Sequence, residues 1–304
     1  MDVQLKPLDQ QVIVITGASS GIGLAAAQMA AGKGAKLVLS ARSEDTLNSI
    51  AQEIRDAGGE ATVCAADVGD PTQVERIAQT AIDVYGRIDT WVNDAGVAIY
   101  GKLWEASEED NRRLFDTNFW GVVNGSLAAL PHLRTQGGAL INIGSEVSDA
   151  YVPLQGMYTA SKHAVKGFTD VLRLELELED APISVTLIQP TAVNTPYPQH
   201  ARNYMDKEPK LPDPQIDPDD VAQAILDAAE NQKRDVKVGT MAKLNTMTAK
   251  MMPGVADKMS RSYADRQQYE EPPRNPEGTL FKPGETGSVR GSGGAEEGRS
   301  PRRH

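Results

Sequence analysis

The sequence predicts an α/β fold: a doubly wound parallel sheet in a three-layer α/β/α sandwich, filling most of a 304-residue chain as a single domain. Short apolar, β-branched runs alternate with helical stretches from about residue 10 to residue 239. The first run passes through a glycine-rich loop straight into an alanine-rich helix. Strands this apolar suit a sheet covered on both faces, and strict strand–helix alternation implies parallel pairing through right-handed crossovers. Ligands of such sheets gather at the carboxyl ends of the strands.

The elements follow in order. Residues 12–15, Val-Ile-Val-Ile, read as a buried strand, and residues 22–31 as a helix with apolar residues at helical spacing. Strands are predicted at 37–40, 62–65 and 90–92, with helices at 44–57 and 71–85 between them. Strands at 139–143 and 184–188 continue the series, and 236–239 closes it. The proline-rich stretch 208–218 is expected to form a mobile flap ahead of a helix at 219–230.

The domain therefore spans residues 1–239. Residues 240–269 are expected to add a helical extension, with Met241, Leu244, Met247, Met251 and Met252 on one side and a break at Pro253-Gly254. A methionine stripe is a packing face, here for the domain, the pocket entrance or a neighbouring subunit. From 270 to 304 the composition turns to Pro, Gly, Ser and charge, which predicts a disordered tail.

Composition excludes several classes. With 31 basic and 42 acidic residues the formal charge is −11, against a nucleic-acid partner or docking on an anionic membrane. Residues 1–10 lack the apolar core of a secretory signal, and no apolar run approaches the ~20 residues that span a bilayer. Cys64 is the single cysteine, so no intrachain disulfide forms and a cytoplasmic location is expected.

The loop Thr16-Gly17-Ala18-Ser19-Ser20-Gly21-Ile22-Gly23 lies between strand and helix. Glycines there allow a tight turn and let backbone approach a pyrophosphate, which the N–H groups and positive dipole end of the helix attract. Tyr158 and Lys162 stand four apart and so share a helical face. Alone, such a pair is usually a surface pair. A tyrosine of ordinary pKa ~10 is a poor acid–base near neutrality, and an adjacent ammonium is expected to lower it. Tyr158 could then protonate a carbonyl oxygen, with Ser145 hydrogen-bonding the same oxygen. His163 falls about 100° round the helix and is expected at the surface or in packing.

Taken together, Gly17, Gly21 and Gly23 after Thr16, the Tyr158-x-x-x-Lys162 pair and the upstream Ser145 resemble the classical short-chain dehydrogenase/reductase family, from about residue 10 to residue 239. Asn118 falls where the family keeps the fourth member of its catalytic group. Asp67-Val68 resembles the pair that faces the adenine, and Asn93-Asp94-Ala95-Gly96 is similar to Asn-Asn-Ala-Gly with Asp94 as a departure. Pro190-Thr191 stands where Pro-Gly is usual, while Val193 and Thr195 fit.

The resemblance implies a Rossmann-type fold and a nicotinamide cofactor held by Gly17, Ser19, Ser20, Gly21, Ile22, Gly23, Arg42, Asp67, Val68, Asn93, Ala95, Gly96, Tyr158, Lys162, Pro190, Val193 and Thr195. It further implies that Lys162 grips ribose hydroxyls, that Asn118 orders a water linked to the lysine, and that the protein is a homodimer or homotetramer.

Cofactor choice turns on the end of the second strand. NAD sites commonly place an acid there for the ribose 2′-OH, whereas this chain has Arg42-Ser43, which suit a 2′-phosphate and favour NADP(H). The substrate pocket is expected from Tyr100, Trp104, Val147, Tyr151, Val152, Leu154, Gln155, Pro196 and Tyr197, an apolar set suited to a small neutral carbonyl or alcohol. The expected activity is an NADP-dependent carbonyl reductase or alcohol dehydrogenase. The alternatives are a non-catalytic NAD(P) sensor, which has no need of a poised acid, and a sugar-nucleotide epimerase or dehydratase, whose loop spacing and larger substrate domain this chain lacks.

Overall fold

Val12–Thr16 (β1) is buried along its whole length, as an apolar β-branched run at the centre of a sheet must be. The computed structural model describes residues 3–284 and 287–291. After β1 come Gly21–Gly32 (α1), Lys36–Ala41 (β2), Glu44–Asp56 (α2), Glu60–Ala65 (β3), Pro71–Tyr85 (α3) and Thr90–Asn93 (β4). The helix α3 begins where Pro71 follows Asp70, whose carboxylate accepts the N–H of Thr72 at 2.9 Å, a side-chain N-cap with proline at the first helical position.

Next are Ile99–Tyr100 (β5), Glu108–Phe115 (α4), Gly121–Gln136 (α5), Gly138–Ile143 (β6), Gly156–Leu178 (α6) and Ile183–Pro190 (β7). The rest is Tyr197–His200 (α7), Arg202–Asn203 (β8), Pro218–Glu230 (α8), Asp235–Val238 (β9), Thr240–Met251 (α9) and Pro253–Arg266 (α10).

Seven strands form one parallel sheet in the order β3-β2-β1-β4-β6-β7-β9. Alternation along β1 divides the core in two. Ile13 and Ile15 pack with Leu24 of α1, Leu47 of α2 and Ile225 of α8, while Val12 and Val14 pack with Ile77 of α3, Leu133 of α5 and Leu172 of α6. A strand period of two makes both faces apolar, so both take helices. The direction of winding reverses between β1 and β4, and their carboxyl ends open the crevice where such folds bind ligands. Among the described residues no helix is long and apolar enough to cross a membrane.

Three expectations change. The α9 helix packs through Ala242 and Thr246, because small residues allow close approach, and Met247, Met251 and Met252 face outward. The stretch 208–218 is tied down by a bridge from Val193 to Ile216 and another from Pro209 to Gln268. The described part of the expected tail is laid on the domain: Leu280 is only 1% exposed and packs with Val97, Ile99 and Leu114. One buried leucine and a set of backbone hydrogen bonds hold a segment whose composition alone predicts no core. Residues 292–304 lie outside the described residues.

Candidate active site

A cavity of about 260 Å³ opens at the carboxyl ends of β1, β4, β6 and β7. Gly17, with φ +79°, turns the chain out of β1, and any Cβ there would lie 2.8 Å from the Ala95 nitrogen, so two loops meet backbone to backbone. The N-terminus of α1 points at the cavity through Ser20, Gly21 and Ile22. All the positions expected to hold a cofactor line this cleft except Gly23 and Asn93. Gly23 instead supports the loop from behind. The Asn93 amide turns into the interior, donating to Asn142 Oδ1 at 2.9 Å and Ser126 Oγ at 3.2 Å and accepting from Trp91 Nε1 at 2.8 Å. Its part is to join β4 to β6 and α5, a correction to its expected contact with cofactor.

Ser145, two residues beyond β6, caps the short turn Glu146–Ser148. Its hydroxyl and that of Tyr197 both face the Tyr158 phenol. Lys162, one turn along α6, is 5% exposed, donates to the Ile143 carbonyl at 2.8 Å, and stands 5.7 Å from the centre of the Tyr158 ring. Ser145, Tyr158 and Lys162 therefore meet in one cleft. His163, exposed, turns away from it.

Asn118 sits in a π turn, Asp116–Trp120, between α4 and α5. Its amide donates to the Val97 carbonyl at 3.0 Å and Ser161 Oγ at 3.2 Å and accepts the Val97 N–H at 2.8 Å. With both N–H groups engaged, this side chain pins the loop after β4 to α6 and does not itself line the cleft.

The electrostatics differ from the expected lowering of the phenol. Burial pushes Tyr158 up to about 12; the neighbouring hydroxyls of Ser145 and Tyr197 oppose this, and the charges of Asp94 and Glu146 add to it. Burial brings Lys162 down to about 8 despite the pull of Asp94. Lys162 stays protonated at neutral pH and donates to the Ile143 carbonyl, while burial dominates the phenol. At neutral pH Tyr158 is therefore protonated.

Asp94, the departure from Asn, accepts the Gly23 N–H, and burial raises its carboxyl to about 7 against the pull of Lys162. Because the folded pKa lies above the unfolded value, the stability linked to this group is full below pH ~3.9 and is lost as pH rises through about 7. Asp94→Asn is expected to raise the melting temperature, with a gain that grows from pH 5 to about 7 and then levels; a gain independent of pH would refute this account. Thr191, the second departure, donates to Glu146 Oε2 at 3.0 Å, and Asn245 of α9 donates to the same oxygen at 3.0 Å, so the extension is tied to the wall of the cleft.

Asp67 pairs with Arg113; burial alone would raise its carboxyl, but the Arg113 hydrogen bond, the Gly69 N–H and the charges of Arg113 and Arg42 together hold it below its ordinary range. Arg42 lines the cleft, yet its guanidinium donates to the carbonyls of Leu280 at 3.0 Å, Lys282 at 3.2 Å and Thr279. Nothing in the sequence signalled Arg113 or residues 279–284 at this place, because they come from distant parts of the chain.

Of the residues expected around the substrate, Val147, Val152, Gln155, Pro196 and Tyr197 line the cleft. Tyr100 is wholly buried behind Tyr197, with ring centres 6.4 Å apart, and Trp104 is 80% exposed. The Tyr151 hydroxyl turns to Asp257 of α10 at 2.8 Å, and Leu154 takes a left-handed turn outside the cleft. Gln155 accepts from Tyr197 at 3.0 Å and donates to Gln267, itself 1% exposed, at 2.6 Å, so the end of α10 supports the pocket.

The chain matches the family model described as short chain dehydrogenase over residues 11–206. It is 46% identical over 287 residues to the uncharacterized oxidoreductase YxnA of Bacillus subtilis (strain 168), covering 93% of this chain and 81% of that one. An alcohol dehydrogenase from the archaeon Thermococcus sibiricus, complexed with 5-hydroxy-NADP, has a TM-score of 0.66 at 28% identity, covering 75% of this chain and 95% of that one. A short chain dehydrogenase/reductase from Burkholderia phymatum in complex with NAD has a TM-score of 0.72 at 26% identity, covering 88% of this chain and 99% of that one. With its parallel seven-stranded sheet, its glycine loop and these likenesses, the chain belongs to the classical short-chain dehydrogenase/reductase family of oxidoreductases.

Proposed function

We propose that this oxidoreductase uses NADP(H) to interconvert a carbonyl and a secondary alcohol on a small hydrophobic substrate. The observation that carries the reading is the meeting of Ser145, Tyr158 and Lys162 in the cleft headed by the N-terminus of α1. The residues present fit a dinucleotide: the loop backbone is too close-packed at Gly17 for any side chain, and the helix end offers the Ile22 N–H to phosphate, those of Gly21 and Gly23 being taken by the Ser288 carbonyl and Asp94.

The cofactor, when bound, supplies or accepts the hydride. Ser145 hydrogen-bonds the substrate oxygen and holds the carbonyl in line. Tyr158 gives its phenolic proton to that oxygen in reduction and takes it back in oxidation. Lys162 holds ribose hydroxyls and carries positive charge below about pH 8. Asn118 acts by keeping the loop after β4 against α6, and the proposed water link to Lys162 runs through groups other than its side-chain N–H donors. Val147, Val152 and Pro196 supply apolar contact for the substrate.

Arg42 and Ser43 at the end of β2, both in the cleft wall, support the choice of NADP(H). Three guanidinium donations go to carbonyls, which leaves Nε and one Nη1 hydrogen to meet a 2′-phosphate. Fluorescence titration is expected to show tighter binding of NADPH than of NADH, and Arg42→Ala to weaken NADPH by roughly tenfold, the loss of one charge-assisted contact. Equal affinities that ignore the substitution would remove the preference and leave the oxidoreductase.

The homo-oligomer implied by family resemblance has support in the exposed Trp120 and Leu127 on the α5 side and Val171, Leu174 and Leu178 on α6, which sedimentation of the purified protein tests directly. The reading of a cytoplasmic enzyme rests on the single Cys64 and the acidic composition.

A further inference from the structure

Residues 279–284 and 287–291 lie along the outer side of the cleft, the first stretch by the end of β2 and the second by the start of α8. The near end is anchored by Leu280, buried with Val97, Ile99 and Leu114. Arg42 and Arg113 both donate to backbone carbonyls there, Arg113 Nε reaching Leu280 at 3.1 Å, and the Thr279 N–H reaches the His200 carbonyl at 2.8 Å. At the middle, the Ser288 carbonyl accepts the N–H of Gly21 at 3.0 Å. That N–H, at the head of α1, has no acceptor within the helix itself. At the far end Arg290 bridges to Asp217 at 2.7 Å and Asp219 at 2.9 Å, and a Cβ on Gly291 would lie 2.7 Å from the Thr195 carbonyl oxygen.

These contacts run past Arg42, Gly21 and Thr195, all in the wall of the cleft. A cavity of about 260 Å³ persists beneath them, with Thr279, Pro283 and Gly284 in its wall. The segment therefore roofs the cleft without filling it.

We propose that residues 279–284 and 287–291 are the outer wall of the dinucleotide site and position the cofactor's adenosine half, so that bound cofactor departs only after this wall lifts. The proposal rests on the nicotinamide-cofactor reading above. Arg42 then has two duties, holding this wall by its carbonyls and facing the ribose. The Arg290 salt bridge and the close approach at Gly291 lie away from Arg42, so loosening them acts on NADPH and NADH alike.

The test uses the full-length protein with Arg290→Glu, which sets a carboxylate against Asp217 and Asp219, and separately Gly291→Val, which forces the backbone off Thr195. Dissociation of NADPH and of NADH is followed by stopped-flow fluorescence after a chase with unlabelled oxidised cofactor. Both variants are expected to melt as the wild type does and to release both cofactors about fivefold faster, with association changed less, as loosened contacts act on release. Unchanged release from both variants would overturn the proposal. Tighter binding in the variants, or binding only in the variants, would also overturn it, since the segment would then compete with cofactor, and the cofactor reading would stand. Binding by neither the wild type nor the variants would overturn both.

Discussion

Tyr158→Phe is expected to lower kcat/KM by roughly 10²- to 10⁴-fold for any aldehyde, ketone or quinone that the wild type reduces, the range a positioned proton donor contributes. NADPH affinity should stay within about threefold, because the phenyl ring retains its edge contact with Tyr197, 5.4 Å away. Separate readouts of turnover and binding are what make the test sharp. Loss of both together would mean that the substitution had disturbed the cleft and not only the acid. The raised phenol adds a direction. With Tyr158 pushed up to about 12, the protonated form prevails through neutrality, so reduction should be flat with pH until the alkaline range. Alcohol oxidation, which needs the phenolate to take a proton, should rise as pH rises. A pH profile in which oxidation peaks below pH 7 would exclude Tyr158 as the base.

Gly23→Ala is expected to damage binding and stability together. A single Cβ there would fall 2.5 Å from the Gly17 carbonyl oxygen and 2.7 Å from Asp94 Oδ2, and neither the loop backbone nor the hydrogen-bonded carboxyl can move aside easily. The head of α1 must shift off the loop. Overpacking of this kind costs about 1–3 kcal/mol, and misplacing an aligned donor set by about 1 Å can cost about a hundredfold in what it aligns. NADPH titration and a denaturant melt check the two effects. Unchanged affinity would mean that this loop is not the phosphate cradle.

Particular residues show how far the chain could be read directly. The strands of the sheet appear in the predicted places, with ends longer by one or two residues where polar Lys36 and Glu60 begin β2 and β3; periodicity cannot mark a strand end that lies in solvent. The loop from Thr16 to Gly23 and the pair Tyr158 and Lys162 were legible because their spacing is local: one turn of helix, one strand-to-helix turn. Asn93 was legible as part of a motif but not in the direction of its side chain, which the polar partners Asn142 and Ser126 decide from other elements. Trp104 and Tyr151, large and apolar enough to suggest a pocket, face solvent and α10. The phenol shift was misjudged for the same reason: proximity to Lys162 was visible, but the burial of both groups was not.

By itself the sequence determined the doubly wound architecture, the family, and which segments supply the cleft, since apolar period, glycine placement and helical spacing are properties of neighbours along the chain. Only the tertiary structure decided that Asp94 shares the cleft with Lys162, that Thr191 and Asn245 converge on Glu146, and that residues 279–284 meet Arg42 and residues 287–291 meet Gly21. These are encounters between groups far apart in the chain, made by backbone carbonyls and buried charges that leave no periodic trace in composition. Their energies come from desolvation and geometry, which exist only once the sheet has brought the segments together.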